Sequence, residues 1–341
     1  MTHRIAAALI STALFGGVAA TASVATAAGS LSGQGSTFVS NFLDQCKADV
    51  QKASGLSVTY QPTGSGAGRN GFIEGTVDFA ASDVPFTKDE AAKAAAKPYV
   101  YVPIVAGGIA VAFNVPGVKE LTLSGPTLAK IFVGKIVSWN DPLIVKENPG
   151  VKLPKLVMRV VVRSDSSGTS NVFSGYLASV AKDVWKKGAT STFPVPATVG
   201  VGQKGSDGVG NYVSGPQGRG AITYAEVSFA NERKLSIVRV LNAAGKAVQP
   251  GAAAVSASLS AASISAENVV TIDALTKNAA AYPISAVAYL IAPKSSKKSA
   301  DVKAFAKAIL GDCQRKAEGL GYAPLPANVL AASSKAIASV N

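Results

Sequence analysis

The chain has 341 residues, 48% of them apolar, with 33 basic and 20 acidic side chains and a net charge of +13. That is length for two ordinary domains and apolar content for real cores, which excludes a disordered chain. The single histidine is His3, so beyond the first residues there is no Ser-His or Cys-His nucleophilic pair and no His-ligated metal site.

The first 28 residues stand apart. His3 and Arg4 precede an apolar run, rich in small residues and free of carboxylates, that ends Ala-Thr-Ala-Ala. This is the pattern of a cleaved secretory signal peptide, with a retained membrane anchor as the competing reading. Export to the periplasm or the extracellular space is therefore expected. No cysteine follows the run, so no lipid anchor is predicted and any membrane tether comes through a partner. Removing residues 1–28 takes away Arg4 and no acid, which lowers the net charge from +13 to +12. The excess is lysine scattered along the chain. Its densest run, KSSKK at 294–298, has no interleaved aromatics. A solvated basic surface is expected rather than a nucleic-acid site, with a positive field that draws anions.

In chain order, GSLSGQGSTF is a Gly/Ser-rich loop opening a helix from Phe38 to about Ala53, capped by Ser36 or Thr37. Val39, Phe42, Leu43, Cys46 and Val50 share one apolar face of it. LSVTY at 56–60 alternates as a strand does. TGSGAGRNG is a glycine-rich turn into a short helix, and TVDFAASD is a short strand ending in Asp83. Thr87 and Glu90 form a capping box before an Ala/Lys helix. Residues 98–115 predict two apolar strands broken at Gly107-Gly108, and SGPTLAKIF a capped helix. VMRVVV at 157–162 is a buried-type strand, and the helix after SDSSGT runs to about Val180. GVGQKGSDGVGNYV reads as a glycine-rich loop into a short helix, and AITYAEV and LSIVRVL as strands. Residues 251–280 are Ala/Ser-rich and weakly periodic. PISAVAYLIA at 283–292 is a strong strand, and residues 299–320 are the last long helix, with Phe305, Ile309 and Cys313 on one face. No internal repeat of fixed period is visible. Short strands alternating with helices predict an α/β fold.

Cys46 and Cys313 are the two cysteines, and in an exported chain such a pair predicts a disulfide; two separately buried thiols are the alternative. A Cys46–Cys313 bond requires the last helix to return to the first.

Three loops share one grammar: a strand, then Gly, Ser or Thr, then a helix. They are GSTF at 35–38, GSGAG at 64–68 and SSGT at 166–169. Helix N-termini leave N–H groups unpaired and carry partial positive charge; glycine admits an anion and hydroxyls add donors. Beside them Arg163 offers a planar fork matched to oxyanions, or a salt bridge to Asp165, or both. GAGRNG at 66–71 and GVGQKG at 200–205 also fit G-x-G-x-x-G. Neither is followed by a convincing ribose-binding acid at a strand end, so no dinucleotide cofactor is predicted, nor any other.

GQGSTFVSNF, VTYQPTGSGAGRNGFIEGTVDFAASDVPFT, LAKIFVGKIVSWND and VVVRSDSSGTSNVFSGYL, in this order, resemble the phosphate-binding proteins of bacterial phosphate ABC transporters. The likeness runs on through GQKGSDGV, GAITYAEV and YPIS; residues 243–280 align with nothing. The resemblance implies a two-lobed periplasmic-binding-protein fold, and a Cys46–Cys313 bond would make the chain cross between the lobes twice, near Gly107 and near Pro283. Lobe 1 would be 29–106 with 283–341, and lobe 2 would be 107–282. It implies a monomer that closes on inorganic phosphate and serves a membrane permease, not an enzyme. Its motifs carry the contacts onto Thr37, Phe38 through its N–H, Ser65, Asp83, Arg163, Ser167, Gly168 and Thr169, with Asp165 holding the arginine. The order of Ser and Gly in GSGAG leaves the part of Gly66 open.

Asp83 is the informative member. A carboxylate beside an anion repels it unless the ligand brings a proton, which phosphate retains at neutral pH and sulfate does not. Leaving that acceptor unmatched in a buried site costs several kcal/mol, so rejection contributes to specificity. Without the family pattern, Asp83 reads as a helix cap or turn residue. The competing functions are binding of another oxyanion, such as sulfate or molybdate, and an exported phosphatase.

Overall fold

The computed structural model describes residues 29–341; the signal-peptide expectation for residues 1–28 lies outside them. The described chain opens as β1 (Ser30–Gly35), α1 (Ser40–Ser54), β2 (Ser57–Gln61), α2 (Ser65–Glu74) and β3 (Phe79–Ser82). β1 pairs in parallel with β2 on one side and β3 on the other, so each connection is a helical crossover. α1 buries Phe42, Leu43, Cys46 and Val50 as the periodicity predicts. Its cap differs from the expectation. Val39 is the N-cap and no side chain bonds the first turn, because the hydroxyls of Ser36 and Thr37 make tertiary bonds instead. α3 (Lys88–Ala94) has the predicted capping box: Glu90 N–H donates to Thr87 Oγ1 at 3.2 Å and Thr87 N–H to Glu90 Oε2 at 2.8 Å.

β4 (Tyr99–Asn114) is one unbroken strand of 16 residues, not two. The glycine pair serves close approach rather than a break. A Cβ on Gly107 would lie 2.8 Å from the Phe38 ring, and one on Gly108 2.6 Å from Pro250. Then come β5 (Thr122–Ser124), α4 (Gly125–Phe132), α5 (Pro142–Glu147), β6 (Arg159–Arg163) and α6 (Gly168–Val180). β7 (Gly200–Gln203) lies where the glycines predict a loop; it pairs in parallel with β6 and leads into α7 (Gly205–Ser214). Gly200 and Gly202 carry no side chain, so no alternation announces the strand.

β8 (Ala221–Glu226) and α8 (Val227–Glu232) follow. LSIVRVL splits into β9 (Ser236–Ile237), which pairs with β4, and β10 (Arg239–Leu241), which pairs with β5. After β11 (Ala247–Val248), the Ala/Ser-rich stretch holds α9 (Ala252–Leu259) and the antiparallel pair β12 (Ser263–Ile264) and β13 (Val270–Thr271). The chain closes with β14 (Ser285–Pro293), α10 (Ser299–Leu310) and α11 (Ala327–Ala338). α10 stops at Gly311 and continues as two short 3₁₀ turns, so Cys313 sits beyond the helix that was expected to carry it. α11 was not anticipated; its sequence is mostly Ala and Ser, and only Val329, Ser333, Ala336 and Ile337 mark its buried face.

The main sheet runs β2-β1-β3-β14-β4-β8-β6-β7, with β9 beside β4. β14 is antiparallel to β3 and to Tyr99–Gly108 of β4. The remainder of β4, Ile109–Asn114, pairs antiparallel with β8. β4 thus belongs to both halves of the sheet and changes partner at Gly108/Ile109. The return of β14 brings the chain's end to its beginning, where Cys46 and Cys313 form a disulfide with a Cα–Cα distance of 5.7 Å across 267 residues.

Candidate functional site

The carboxyl ends of β1, β3 and β6 meet the N-termini of α2, α6 and α7, the usual place for a ligand in an α/β sheet. Gly35 ends β1 at φ +138°, and a Cβ there would lie 2.0 Å from the Ala81 carbonyl oxygen. Only glycine lets β1 run so close to β3 and deliver Ser36, Thr37 and Phe38 into the cleft.

Asp83, just past β3, is 5% exposed. Ser36 Oγ donates to its Oδ1. Ser65 Oγ and Thr169 Oγ1 donate to its Oδ2 at 3.4 and 3.3 Å. The carboxylate therefore caps no helix; α3 is capped by Thr87. Burial pushes Asp83 up to about 6, opposed by the Ser36 bond and the charge of Arg163. Gly168 opens α6 directly against it: a Cβ would lie 2.5 Å from Ser65 Oγ and 2.6 Å from Asp83 Oδ2. Ser167 caps α6, accepting from Ser170 N–H at 3.1 Å, so its own hydroxyl hydrogen remains available.

Arg163 ends β6 and is 2% exposed. Its Nε donates to Asp165 Oδ1 at 2.7 Å and its Nη2 to Oδ2 at 2.5 Å. No acceptor among the described residues takes Nη1. The salt bridge and the oriented fork thus coexist. Burial works against an ionised Asp165, but the bonds and charge of Arg163 and the Gly205 N–H hold it below the usual carboxylate range.

Thr37 Oγ1 lies 2.8 Å from Ser206 Oγ and accepts from Ser206 N–H at 3.2 Å. Phe38 N–H donates to Ser36 Oγ at 3.1 Å. Gly66, left open by the sequence, spends its N–H on the Ser166 carbonyl at 2.9 Å. All eight predicted contacts and Asp165 therefore gather in one cleft. Two members were missed. Ser36 was visible only as a cap candidate, although its hydroxyl joins Asp83 to Phe38. Ser206 lay in a glycine-rich loop with nothing to mark its partner.

A family model described as the PBP superfamily domain matches residues 20–312. Phosphate-binding protein PstS of Xylella fastidiosa (strain Temecula1) is 37% identical over 308 residues, covering 88% of this chain and 82% of that protein. The chain belongs to the phosphate-binding PstS proteins of the PBP superfamily. Phosphate-binding protein PstS 2 of Mycobacterium tuberculosis (strain H37Rv) is 35% identical over 327 residues, covering 91% of this chain and 87% of its own. Among solved structures, a high affinity periplasmic phosphate-binding protein bound with phosphate at pH 8.5 matches with a TM-score of 0.71 and 25% identity. That match covers 89% of this chain and 92% of that one. The phosphate-binding protein from Stenotrophomonas maltophilia, at 22% identity and a TM-score of 0.69, covers 90% of this chain and 94% of its own and shares the fold. As a PstS protein, the chain has the two-lobed fold of that superfamily.

Proposed function

We propose that this protein captures inorganic phosphate between its two lobes and delivers it to the membrane permease of a phosphate ABC transporter, as an exported monomer with no catalytic step. The observation that carries the reading is Asp83: a buried carboxylate facing the N-terminus of α6 and the Arg163–Asp165 pair. Lobe 1 comprises residues 29–106 with 283–341, and lobe 2 comprises 107–282, consistent with the partner change in β4. Export through a cleaved signal, without a lipid anchor, rests on the basic start, the apolar small-residue run and the absence of a cysteine after that run in the sequence; among the described residues no helix is long and apolar enough to cross a membrane.

Thr37, Ser65, Ser167 and Thr169 donate hydroxyl hydrogens to the anion, Gly168 donates N–H, Arg163 donates Nη1, and Phe38 N–H is shared between the anion and Ser36 Oγ, to which it donates at 3.1 Å. The hydroxyls of Ser65 and Thr169 now turned to Asp83 rotate toward the ligand when it enters. That rotation frees Oδ2 to accept the proton that phosphate carries. Sulfate brings no proton and leaves the carboxylate facing an anion.

Native mass spectrometry of the purified protein, followed by competition calorimetry, tests this. Phosphate should bind with sulfate far weaker. Equal binding of sulfate or molybdate would favour a general oxyanion carrier, and turnover of a phosphomonoester would favour a phosphatase.

A further inference from the structure

We infer that Ser206, in the first turn of α7, is a positioning residue that commits the Thr37 hydroxyl to donating into the cleft and latches the two lobes together. This rests on the reading of Thr37 as a phosphate contact.

A hydroxyl has one hydrogen and two lone pairs. Ser206 N–H already takes one lone pair of Thr37 Oγ1, at 3.2 Å. The two hydroxyl oxygens lie 2.8 Å apart, and either could donate to the other. If Thr37 donated, its only hydrogen would be spent on Ser206. If Ser206 donates, both lone pairs of Thr37 are filled and its hydrogen has only the cleft to point into. An anion there selects the second arrangement, because it needs a donor. In that arrangement the two Ser206 bonds fill both lone pairs of Thr37 and hold its hydrogen toward the bound anion.

The surroundings agree with a dedicated contact. Ser206 is fully buried and Thr37 is 5% exposed. Ser206 caps nothing; the N-cap position of α7 is Lys204 and makes no side-chain bond. The two residues are 169 apart in sequence, Thr37 following β1 in lobe 1 and Ser206 lying between β7 and β8 in lobe 2. Their bond bridges the lobes directly. The preceding N–H of the same turn, that of Gly205, donates 2.9 Å to Asp165 Oδ1. One helix end therefore aims two successive N–H groups at the holder of Arg163 and at Thr37, with the partial positive charge of the helix behind both. Gly205 itself sits at φ +72°, the left-handed backbone that admits this arrangement.

The test compares wild type, Ser206→Ala, Ser206→Thr, Thr37→Val and the double variant Thr37→Val/Ser206→Ala in the full chain. Phosphate affinity is measured by calorimetry, release by stopped flow, and thermal unfolding without phosphate controls for folding. Ser206→Ala should weaken phosphate binding about tenfold, the worth of one buried bond to a charged system, chiefly through faster release. Ser206→Thr should restore most of it. The double variant should bind no worse than Thr37→Val alone, since both changes remove one interaction. Wild-type affinity in Ser206→Ala, or additive losses in the double variant, would overturn the inference while leaving Thr37 as a contact. An inert Thr37→Val would overturn both, and would identify the reading of Thr37 as the error.

Discussion

Asp83 and Glu226 are both buried carboxylates, and their surroundings drive them to opposite states. Asp83 takes hydroxyl hydrogens from Ser36, Ser65 and Thr169 and lies within the field of Arg163. Glu226 ends β8 opposite Ile109, where β4 changes its partner from β14 to β8. Only its Oε2 is bonded, by the N–H of Ser228 at 2.8 Å and by the Ser228 hydroxyl. Its Oε1 is buried without a partner, and the nearby Tyr322 hydroxyl donates elsewhere, to the Phe38 carbonyl at 2.7 Å. Burial pushes Asp83 up to about 6 but Glu226 up to about 8, the Ser228 bonds offsetting only part of the effect. At neutral pH Asp83 is therefore mostly ionised and able to accept a proton-bearing ligand. Glu226 is mostly protonated and structural. Burial alone does not make a functional acid; the donors and cation beside it decide which form persists.

Removing the cation should disturb the comparison most. Arg163→Ala strands Asp165 half-paired and takes the opposing positive charge from Asp83, whose titration should move up toward that of Glu226. Loss of one partner of a buried pair costs about 3–5 kcal/mol; phosphate calorimetry with denaturant unfolding will apportion it between binding and stability. Arg163→Lys keeps charge without the fork and should cost about 1–3 kcal/mol of binding. Unchanged affinity in both variants would move the site elsewhere.

Glu226 should reveal itself through stability. Its folded pKa of about 8 lies above the ordinary 4.5, so the unfolded chain releases the proton first. The contribution is fully present below about pH 4.5 and is lost as pH rises through about 8. Glu226→Gln, which places an N–H₂ where the acid holds its proton, should remove that loss and gain about 1–3 kcal/mol above pH 8. Urea midpoints at pH 5 to 9 and constant salt measure it; parallel pH profiles for the two proteins would mean Glu226 is ionised in the fold.

At Asp83 the expected effect is on selectivity. Asp83→Asn replaces an acceptor-only group with one that also donates, and the ratio of phosphate to sulfate affinity should fall at least tenfold, about 1.4 kcal/mol. A constant ratio would make Asp83 a turn residue and place discrimination elsewhere. Acid should produce a smaller version of the same change. As pH drops below about 6, Asp83 takes up its proton and sulfate rejection should weaken severalfold in wild type but not in Asp83→Asn. Calorimetry with sulfate at pH 5 and pH 7.5 separates the two.

By itself the sequence determined what is local or chemically exclusive. The Thr87–Glu90 box and the apolar face of α1 are legible because helix ends and helix faces use neighbours three and four residues apart. The Cys46–Cys313 bond was legible because two cysteines leave one pairing. The family motifs marked nine residues that gather in the cleft. Tertiary structure alone decided the rest. Gly107 and Gly108 look like a break, yet β4 runs through them because Phe38 and Pro250 need the space. β7 carries no alternation, and partner pairing with β6 makes it a strand. Ser36, Ser206 and Glu226 are ordinary letters in chain order. The serines take their roles from partners 47 and 169 residues away and Glu226 from a burial that no local pattern records, since a hydroxyl or carboxyl takes its chemistry from whatever the fold sets beside it.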